Sequence, residues 1–410
     1  MTDVKAMTTD FPRLLVATEF PPNGAGGGAA VVRQMLKHWP AEKLYWWSCF
    51  PDRNQLFGQK TAAHRVATIP QKLYPNRRGR GLKSWLLETF WVPRASRHLR
   101  NTLETLKPDV VWAIPHAQAI PPMMRVLPGA GIGFHVSMHD YMDDRGFGMR
   151  FGVERSRRLA AMADQLYAGA TTRDAIGRAM LDDLRTRTGR DGLITRAGLE
   201  QEDFDYLSHE TETQGESTRI AYAGTIVAAN EFALVAKVLE QIRRQLPRPV
   251  TLEFFGDHSY RLESWFDASW MREHGSLPAL ELSQALKKCD WGLSPMRLAD
   301  DDPRYNHFSL PTKFVSYLAA GLPIIVLGHP ESTVVKMAQQ YQAGLCVTEG
   351  NPEKLSAQLL EAFSKANPKQ KYRAEIQRCA LAEFDARRMR ATLYSNFQTC
   401  AASKPDKGGN

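Results

Sequence analysis

The sequence predicts an α/β protein of two doubly wound domains, each a parallel sheet wrapped on both faces by helices. Three observations predict it. The chain has 410 residues, and single hydrophobic cores stop growing at roughly 250–300 residues. Short apolar runs alternate with longer stretches of helical spacing along the whole chain. A polar, acidic stretch poor in large apolar residues, QEDFDYLSHETETQGEST (201–218), divides that alternation into two sets.

The strands of the first set are RLLVAT (13–18), KLYWWSCF (43–50), RVATI (65–69), DVVWAI (109–114), GIGFHVSM (131–138), QLYAGA (165–170) and GLIT (192–195). Those of the second are RIAYAG (219–224), TLEFFG (251–256), WGLSP (291–295), PIIVLG (323–328) and GLCVT (344–348). They are near-continuous apolar runs, as strands covered on both faces must be. Between them lie segments such as EFALVAKVLEQIRRQL (231–246), whose apolar residues recur at helical spacing. The first domain is expected over 1–205, a linker over 206–218, the second domain over 219–380, and a terminal helix with a frayed tail over 381–410. The stretch 374–401 reads as helix throughout.

Composition narrows the function. Hydrophobic residues are 43% and charged residues 24%, ordinary for a globular chain and unlike a disordered one. Five cysteines, odd in number and widely spaced, exclude a disulfide scaffold, and no CxxC or Cys/His spacing suggests zinc. No signal peptide or apolar run long enough to span a bilayer is visible, so the expected address is cytoplasmic. The net charge of +9 is lopsided: residues 1–205 carry 29 Lys+Arg against 21 Asp+Glu. Residues 71–100 hold eight basic residues and one acid, Glu88, around Tyr74, Trp85, Leu86, Leu87, Phe90 and Trp91. Cations around an aromatic and leucine cluster suit an anionic membrane interface or a lipid-linked acceptor. The competing reading is a surface helix that packs its apolar face into its own domain. Nucleic acid is disfavoured, because no reading motif accompanies the charge.

Ligands of doubly wound sheets bind beyond the carboxyl ends of the strands, and three segments there are unusual. After the first strand, PPNGAGGGAAVV places Gly26, Gly27 and Gly28 before an apolar helix, where backbone N–H groups can approach an anion. The spacing is not GxGxxG, so no dinucleotide fingerprint is present, and an ordinary tight turn would look the same. After the strand 131–138, His139, Asp140, Asp143 and Asp144 crowd one loop. Four ionisable groups at the end of an inner strand point to catalysis or substrate orientation, against the alternative of a hydrogen-bonded histidine beside solvated acids. The third is SLPTKFVSYLAAGLPIIV (309–326), where Ser309 and Pro311 lead into an apolar helix. Thr312 and Lys313 then lie at its positive end, where a diphosphate would meet free N–H groups, a hydroxyl and an ammonium. A capped helix with a surface lysine is the plain alternative.

With these pieces in place, the chain resembles the nucleotide-sugar-dependent glycosyltransferases of the GT-B fold, family four above all. The resemblance covers most of the chain, in order. It runs through PPNGAGGG, SMHD (137–140), RAGLEQEDF (196–204), YAGTI (222–226), FFGD (254–257), HGSLPALELSQALKKCDWGLSP (274–295) and PTKFVSYLAAGLPIIV (311–326). It implies two Rossmann-like domains facing across a cleft, with the carboxy-terminal helix crossing back to the first. It further implies an acceptor side with His139 and Asp140 as catalytic residues. The donor side would comprise Gly26, Gly27, Gly28, Gly224, Thr225, Asn230, Gly256, Asp257, Ser309, Pro311, Thr312, Lys313 and Ser316. Many relatives carry Arg and Lys where this chain has Thr225 and Asn230, and glutamates where it has Phe308 and Ser316. Arg297 or Arg304 could supply charge in their stead.

The expected activity is transfer of a sugar from a nucleotide diphosphate to a hydroxyl acceptor. No metal and no cofactor is expected beyond the nucleotide-sugar substrate, and the setting is lipid-linked glycan or cell-surface polysaccharide synthesis, with peripheral attachment at the inner face of a membrane. The rival from another class is a non-catalytic GT-B scaffold that binds a nucleotide sugar or a protein partner. Another GT-B reaction, epimerisation or phosphorolysis, fits the donor loop less well.

Overall fold

The computed structural model of the chain describes residues 11–24, 26–52, 58–74, 79–140, 151–209, 215–301, 304–364 and 367–403; the side chains of 304 and 305 are excluded. The chain divides into two compact units, residues 1–197 with 387–410, and residues 198–386.

The first unit holds a seven-stranded sheet of β1 (Leu14–Ala17), β2 (Leu44–Ser48), β3 (Ala63–Val66), β4 (Val110–Ala113), β5 (Phe134–Met138), β6 (Thr172–Ala175) and β7 (Leu193–Ile194). Their order is β3-β2-β1-β4-β5-β6-β7, and every pair is parallel. The inner strands β1, β4 and β5 are buried at every residue, which is why they read as unbroken apolar runs. On one face Leu14, Val16, Trp46 and Trp112 pack with Val32 and Met35 of the helix Gly27–Met35. The last helix, Ala386–Ala402, completes that layer through Leu393, Phe397 and Cys400. From Arg387 onward it therefore belongs to the first unit, although residues 198–386 just before it belong to the second.

The second unit holds a six-stranded parallel sheet of β8 (Thr218–Ala223), β9 (Val250–Phe255), β10 (Met271–Glu273), β11 (Trp291–Pro295), β12 (Ile324–Leu327) and β13 (Gly344–Val347). The order is β10-β9-β8-β11-β12-β13. Two clusters cover its two faces, one around Phe314, Tyr317, Ile324 and Phe384, the other around Phe232, Leu252, Trp291 and Leu327. In each sheet the strand order reverses next to the first strand of the unit, between β1 and β4 and between β8 and β11. Loops diverge at such a reversal and leave a crevice at the carboxyl ends of the strands.

Five local differences from the sequence reading appear. The run 165–170 is the end of the helix Val153–Gly169, and the strand begins at Thr172. Its apolar residues Leu166 and Tyr167 are buried by the helix itself, and a short apolar run cannot by itself be told from a strand. The polar stretch 201–218 opens with the helix Gln201–Ser208, started by a capping box between Glu200 and Asp203. Where the sequence suggested a division at 205, Leu199 N–H donates to Phe384 O and Ala386 N–H to Leu199 O, which seats this segment in the second unit. The stretch 374–401 is two helices, Pro368–Glu383 and Ala386–Ala402, broken at buried Phe384. Finally, the three-residue edge strand β10 carries too short a pattern to be read from sequence.

Candidate functional site

In the second unit the strand-order reversal holds a cavity of about 280 Å³. Seven sequence-predicted residues line it: Gly224 and Thr225 after β8, Gly256 and Asp257 after β9, and Thr312, Lys313 and Ser316 from the helix Thr312–Ala319. Gly224 turns the chain at φ 89, a left-handed value that a side chain would strain. The turn is held by Tyr222, whose hydroxyl donates to Thr225 O (2.9 Å), and by Tyr260, whose hydroxyl accepts from Ile226 N–H (3.0 Å). Tyr317 fixes the floor: its buried hydroxyl accepts from Ala223 N–H (2.9 Å) and donates to Leu293 O (3.2 Å), tying β8 to β11. Only glycine fits at 292, because an added Cβ would lie 2.4 Å from the Tyr317 ring.

The helix Thr312–Ala319 starts at Pro311 with no side-chain cap; Phe314 N–H turns back to Pro311 O (3.0 Å), and the N–H groups before it have no intrahelical partner. Lys313 Nζ sits 3.9 Å from the centre of the Tyr222 ring. Burial pushes its pKa down from 10.5 to about 7. Among the described residues no carboxylate pairs with it. The arrangement, an amine held over an aromatic face beside a helix start without a side-chain cap, has the chemistry to bind an anion through the amine and the helix N–H groups.

The remaining donor-side expectations fall elsewhere. Asn230 is exposed on the helix Ala229–Ile242, and Ser309 and Pro311 precede the cavity's helix; none of the three lines the cavity. Ser316 does line it and keeps its hydroxyl on Thr312 O (3.3 Å). Arg297 is paired with Asp301 at 2.7 Å, which answers its charge locally. The Arg304 side chain and residues 143 and 144 lie outside the described residues.

In the first unit the reversal gathers a second set. His139 and Asp140 follow β5, and Gly26, Gly27 and Gly28 start the helix that follows β1. Sequence reasoning missed His116, which follows β4. Its Nε2 lies 3.1 Å from Asp140 Oδ2 and its ring is 6.1 Å from that of His139. A Cβ added at Gly28 would touch the His116 ring at 3.7 Å, so the glycine loop lies directly against it. The available signal was position: a polar residue at the end of a strand that borders the switch point. Burial pulls the His116 pKa down, but the hydrogen bond and charge of Asp140 outweigh it and leave the group raised. Asp140 has a 66% exposed side chain, and its bond to His116 and that ring's charge outweigh the desolvation that opposes its ionisation and hold its pKa low. His139 goes the other way: burial, then the charge of His116, lowers it to about 4. Its Nδ1 is buried without a hydrogen-bond partner. The result is a neutral His139 imidazole beside the hydrogen-bonded His116–Asp140 pair, suited to hydrogen-bond a hydroxyl. Among the described residues no group of three or more His, Cys, Asp or Glu is placed to hold a metal ion.

With this geometry in hand, residues 220–376 match the family model "Glucosyltransferase 3-like, C-terminal domain", somewhat less than half of the chain. A comparison with curated protein sequences gives no match. Among solved structures the chain is similar to HepE of Anabaena in complex with UDP, at 12% identity and TM-score 0.66, over 94% of this chain and 100% of that one. It is similar to the sucrose-phosphate synthase of Thermosynechococcus elongatus, at 10% identity and TM-score 0.66, over 95% and 98%. A third similar structure is the UDP-forming α,α-trehalose-phosphate synthase of Burkholderia xenovorans, at 13% identity and TM-score 0.62, over 94% and 100%. The chain has the GT-B fold, two parallel-sheet α/β domains, and the resemblance to GT-B glycosyltransferases read from its sequence stands.

Proposed function

We propose that this protein transfers a glycosyl group from a nucleotide diphosphate sugar to a hydroxyl acceptor. The observation that carries the reading is Lys313: a half-buried amine without a carboxylate partner among the described residues, set beside the start of a helix in a cavity of about 280 Å³. The barrier to glycosyl transfer is separation of an anionic diphosphate from a cationic sugar carbon. Preorganised positive charge at the leaving group lowers it. Lys313, the N–H groups of the helix start and the Thr312 hydroxyl are assigned that task, with Thr225 and Ser316 offering neutral hydrogen bonds. In this reading the phosphates are neutralised by protein groups, with no metal required. HepE has been crystallised with UDP and with UDP-glucose, which makes UDP-glucose the first donor to try.

On the acceptor side the roles fall to His139 and Asp140, with His116 holding Asp140. If configuration is retained, the leaving phosphate takes the acceptor proton and His139 orients the sugar. If it is inverted, neutral His139 takes the proton. The anomeric configuration of the product by NMR separates the two courses. The finer setting, a lipid-linked glycan or surface polysaccharide made at the cytoplasmic face of a membrane, draws support from the basic, aromatic segment 71–100.

The test is a thermal-shift panel of UDP-, GDP-, ADP- and TDP-sugars, because a ligand of the folded state raises its stability. A stabilising donor should then be slowly hydrolysed or transferred, and His139→Ala should abolish turnover while keeping nucleotide binding. A panel in which no donor shifts the melting temperature sinks the reading. The exposed Asn230 and the uncharged Thr225 and Ser316 favour one rival, a scaffold that binds nucleotide sugar without turnover. Binding with no hydrolysis in the intact protein would establish it.

A further inference from the structure

A helical rod built of three consecutive segments, Arg80–Leu86, Leu87–Trp91 and Val92–Leu106, runs through the basic, aromatic segment of the first unit. One side is buried through Ser84, Leu87, Trp91, Val92, Ala95 and Leu99, so the packing reading accounts for that side. The opposite side is not the polar stripe expected of a surface helix. Leu82, Trp85 and Phe90 are 64%, 56% and 52% exposed. Trp85 and Phe90 touch edge-to-face, with centroids 5.9 Å apart. They are the aromatic members of the exposed large apolar side chains among the described residues. Further along the same exposed side come Arg94, Arg97 and Arg100, none paired with a carboxylate among the described residues. Of the rod's two acids, Glu88 is bound by Arg155 at 3.0 Å and Glu104 lies one turn beyond Arg100. Beside the aromatics a mostly apolar cavity of about 250 Å³ opens, lined in part by Thr68, Leu73, Phe90, Trp91, Arg94 and His98.

We propose that this face docks on an anionic phospholipid membrane, with Leu82, Trp85 and Phe90 in the headgroup layer, Arg94, Arg97 and Arg100 on lipid phosphates, and the cavity receiving part of one acyl chain. Charge complementarity selects the partner. An unpaired cationic row would repel a basic surface, and exposed aromatics flanked by cations match the amphipathic boundary of a bilayer. No helix among the described residues is long and apolar enough to cross a membrane, so the contact is peripheral. The docking is independent of nucleotide binding, and the two readings fail separately.

The full chain is sedimented without nucleotide with vesicles of phosphatidylcholine alone and of phosphatidylcholine with phosphatidylglycerol. Binding should require the anionic lipid and weaken with salt. It should fall about tenfold or more in Trp85→Ser/Phe90→Ser, and by roughly fivefold per charge in Arg94→Gln/Arg97→Gln. Melting temperatures should stay near that of the parent, because these side chains are exposed. Acyl chains brominated near the headgroup should quench tryptophan emission, with the effect reduced in Trp85→Phe. Thr68→Trp, which fills the cavity, should weaken binding without changing its salt dependence. Equal binding to both vesicle types, or retention of binding in the first two variants, overturns the proposal. So does binding of a soluble alkyl phosphate with none to vesicles, which would make the cavity a site for a single lipid.

Discussion

Lys313 makes a quantitative prediction. Its pKa of about 7 against an ordinary 10.5 means the free protein at pH 8 carries this amine protonated in only about one molecule in ten. A bound diphosphate supplies the opposite charge that burial withheld and restores the proton. A nucleotide sugar is the right probe, because its diphosphate is already fully ionised and takes up no proton itself. Binding at pH 8 should therefore take up close to one proton. Isothermal titration in buffers of different ionisation enthalpy reads this directly as the slope of observed enthalpy against buffer enthalpy. Affinity should weaken by up to tenfold per pH unit above about 7, and Lys313→Met should abolish the proton uptake and lower affinity about 30-fold, the worth of one charge-assisted bond of ~2 kcal/mol. The same burial destabilises the free protein. The unfolded chain holds this proton up to about pH 10.5, so the cost is fully present below pH 7 and fades as pH rises from 7 to 10.5. One pKa unit is about 1.36 kcal/mol, so the cost is at most ~4–5 kcal/mol, and Lys313→Met should be the more stable apoprotein at pH 7. A zero proton slope at pH 8, or a variant no more stable than the parent, would refute the reasoning.

Three further outcomes are expected. Tyr317→Phe removes the acceptor for the buried Ala223 N–H and should cost about 1–3 kcal/mol in urea unfolding; an unchanged midpoint would mean that Tyr317 does not hold the two strands. His139, depressed to about 4, should make stability fall as pH drops from about 6.5 to 4, by on the order of 2–3 kcal/mol. Melts of His139→Gln should lack that slope, and an unaltered slope would assign it to other groups. Asp140→Asn removes the group that raises His116. The NMR titration of His116 should then move to lower pH, and turnover of the best donor should drop at least tenfold.

The architecture was legible because its causes are local. Parallel strands buried on both faces need unbroken apolar runs, and the turns around strands and helices are marked by residues such as Gly224 after β8, and Pro311 and Gly321 on either side of the helix Thr312–Ala319. Failures came where that signal is ambiguous or short: Leu166 and Tyr167 on a buried helix imitated a strand, and β10 is three residues long. The loop from β8 and the helix led by Pro311 were recognised, but Asn230 follows the loop on a helix that points it to solvent. His116 was missed because its meaning depends on Asp140 and Gly28, neighbours in space from two other loops.

Sequence by itself determined the two sheets, their helices and the loops that end at each switch point, since apolar period, glycine and proline act within a few residues of themselves. Tertiary structure alone decided the ionisation states. Whether the pKa of Lys313 over Tyr222 is ordinary or lowered, and whether that of His139 falls while that of His116 rises, depends on solvent exclusion and on charges brought in from other strands, and Coulomb and desolvation energies follow distance in space rather than position along the chain.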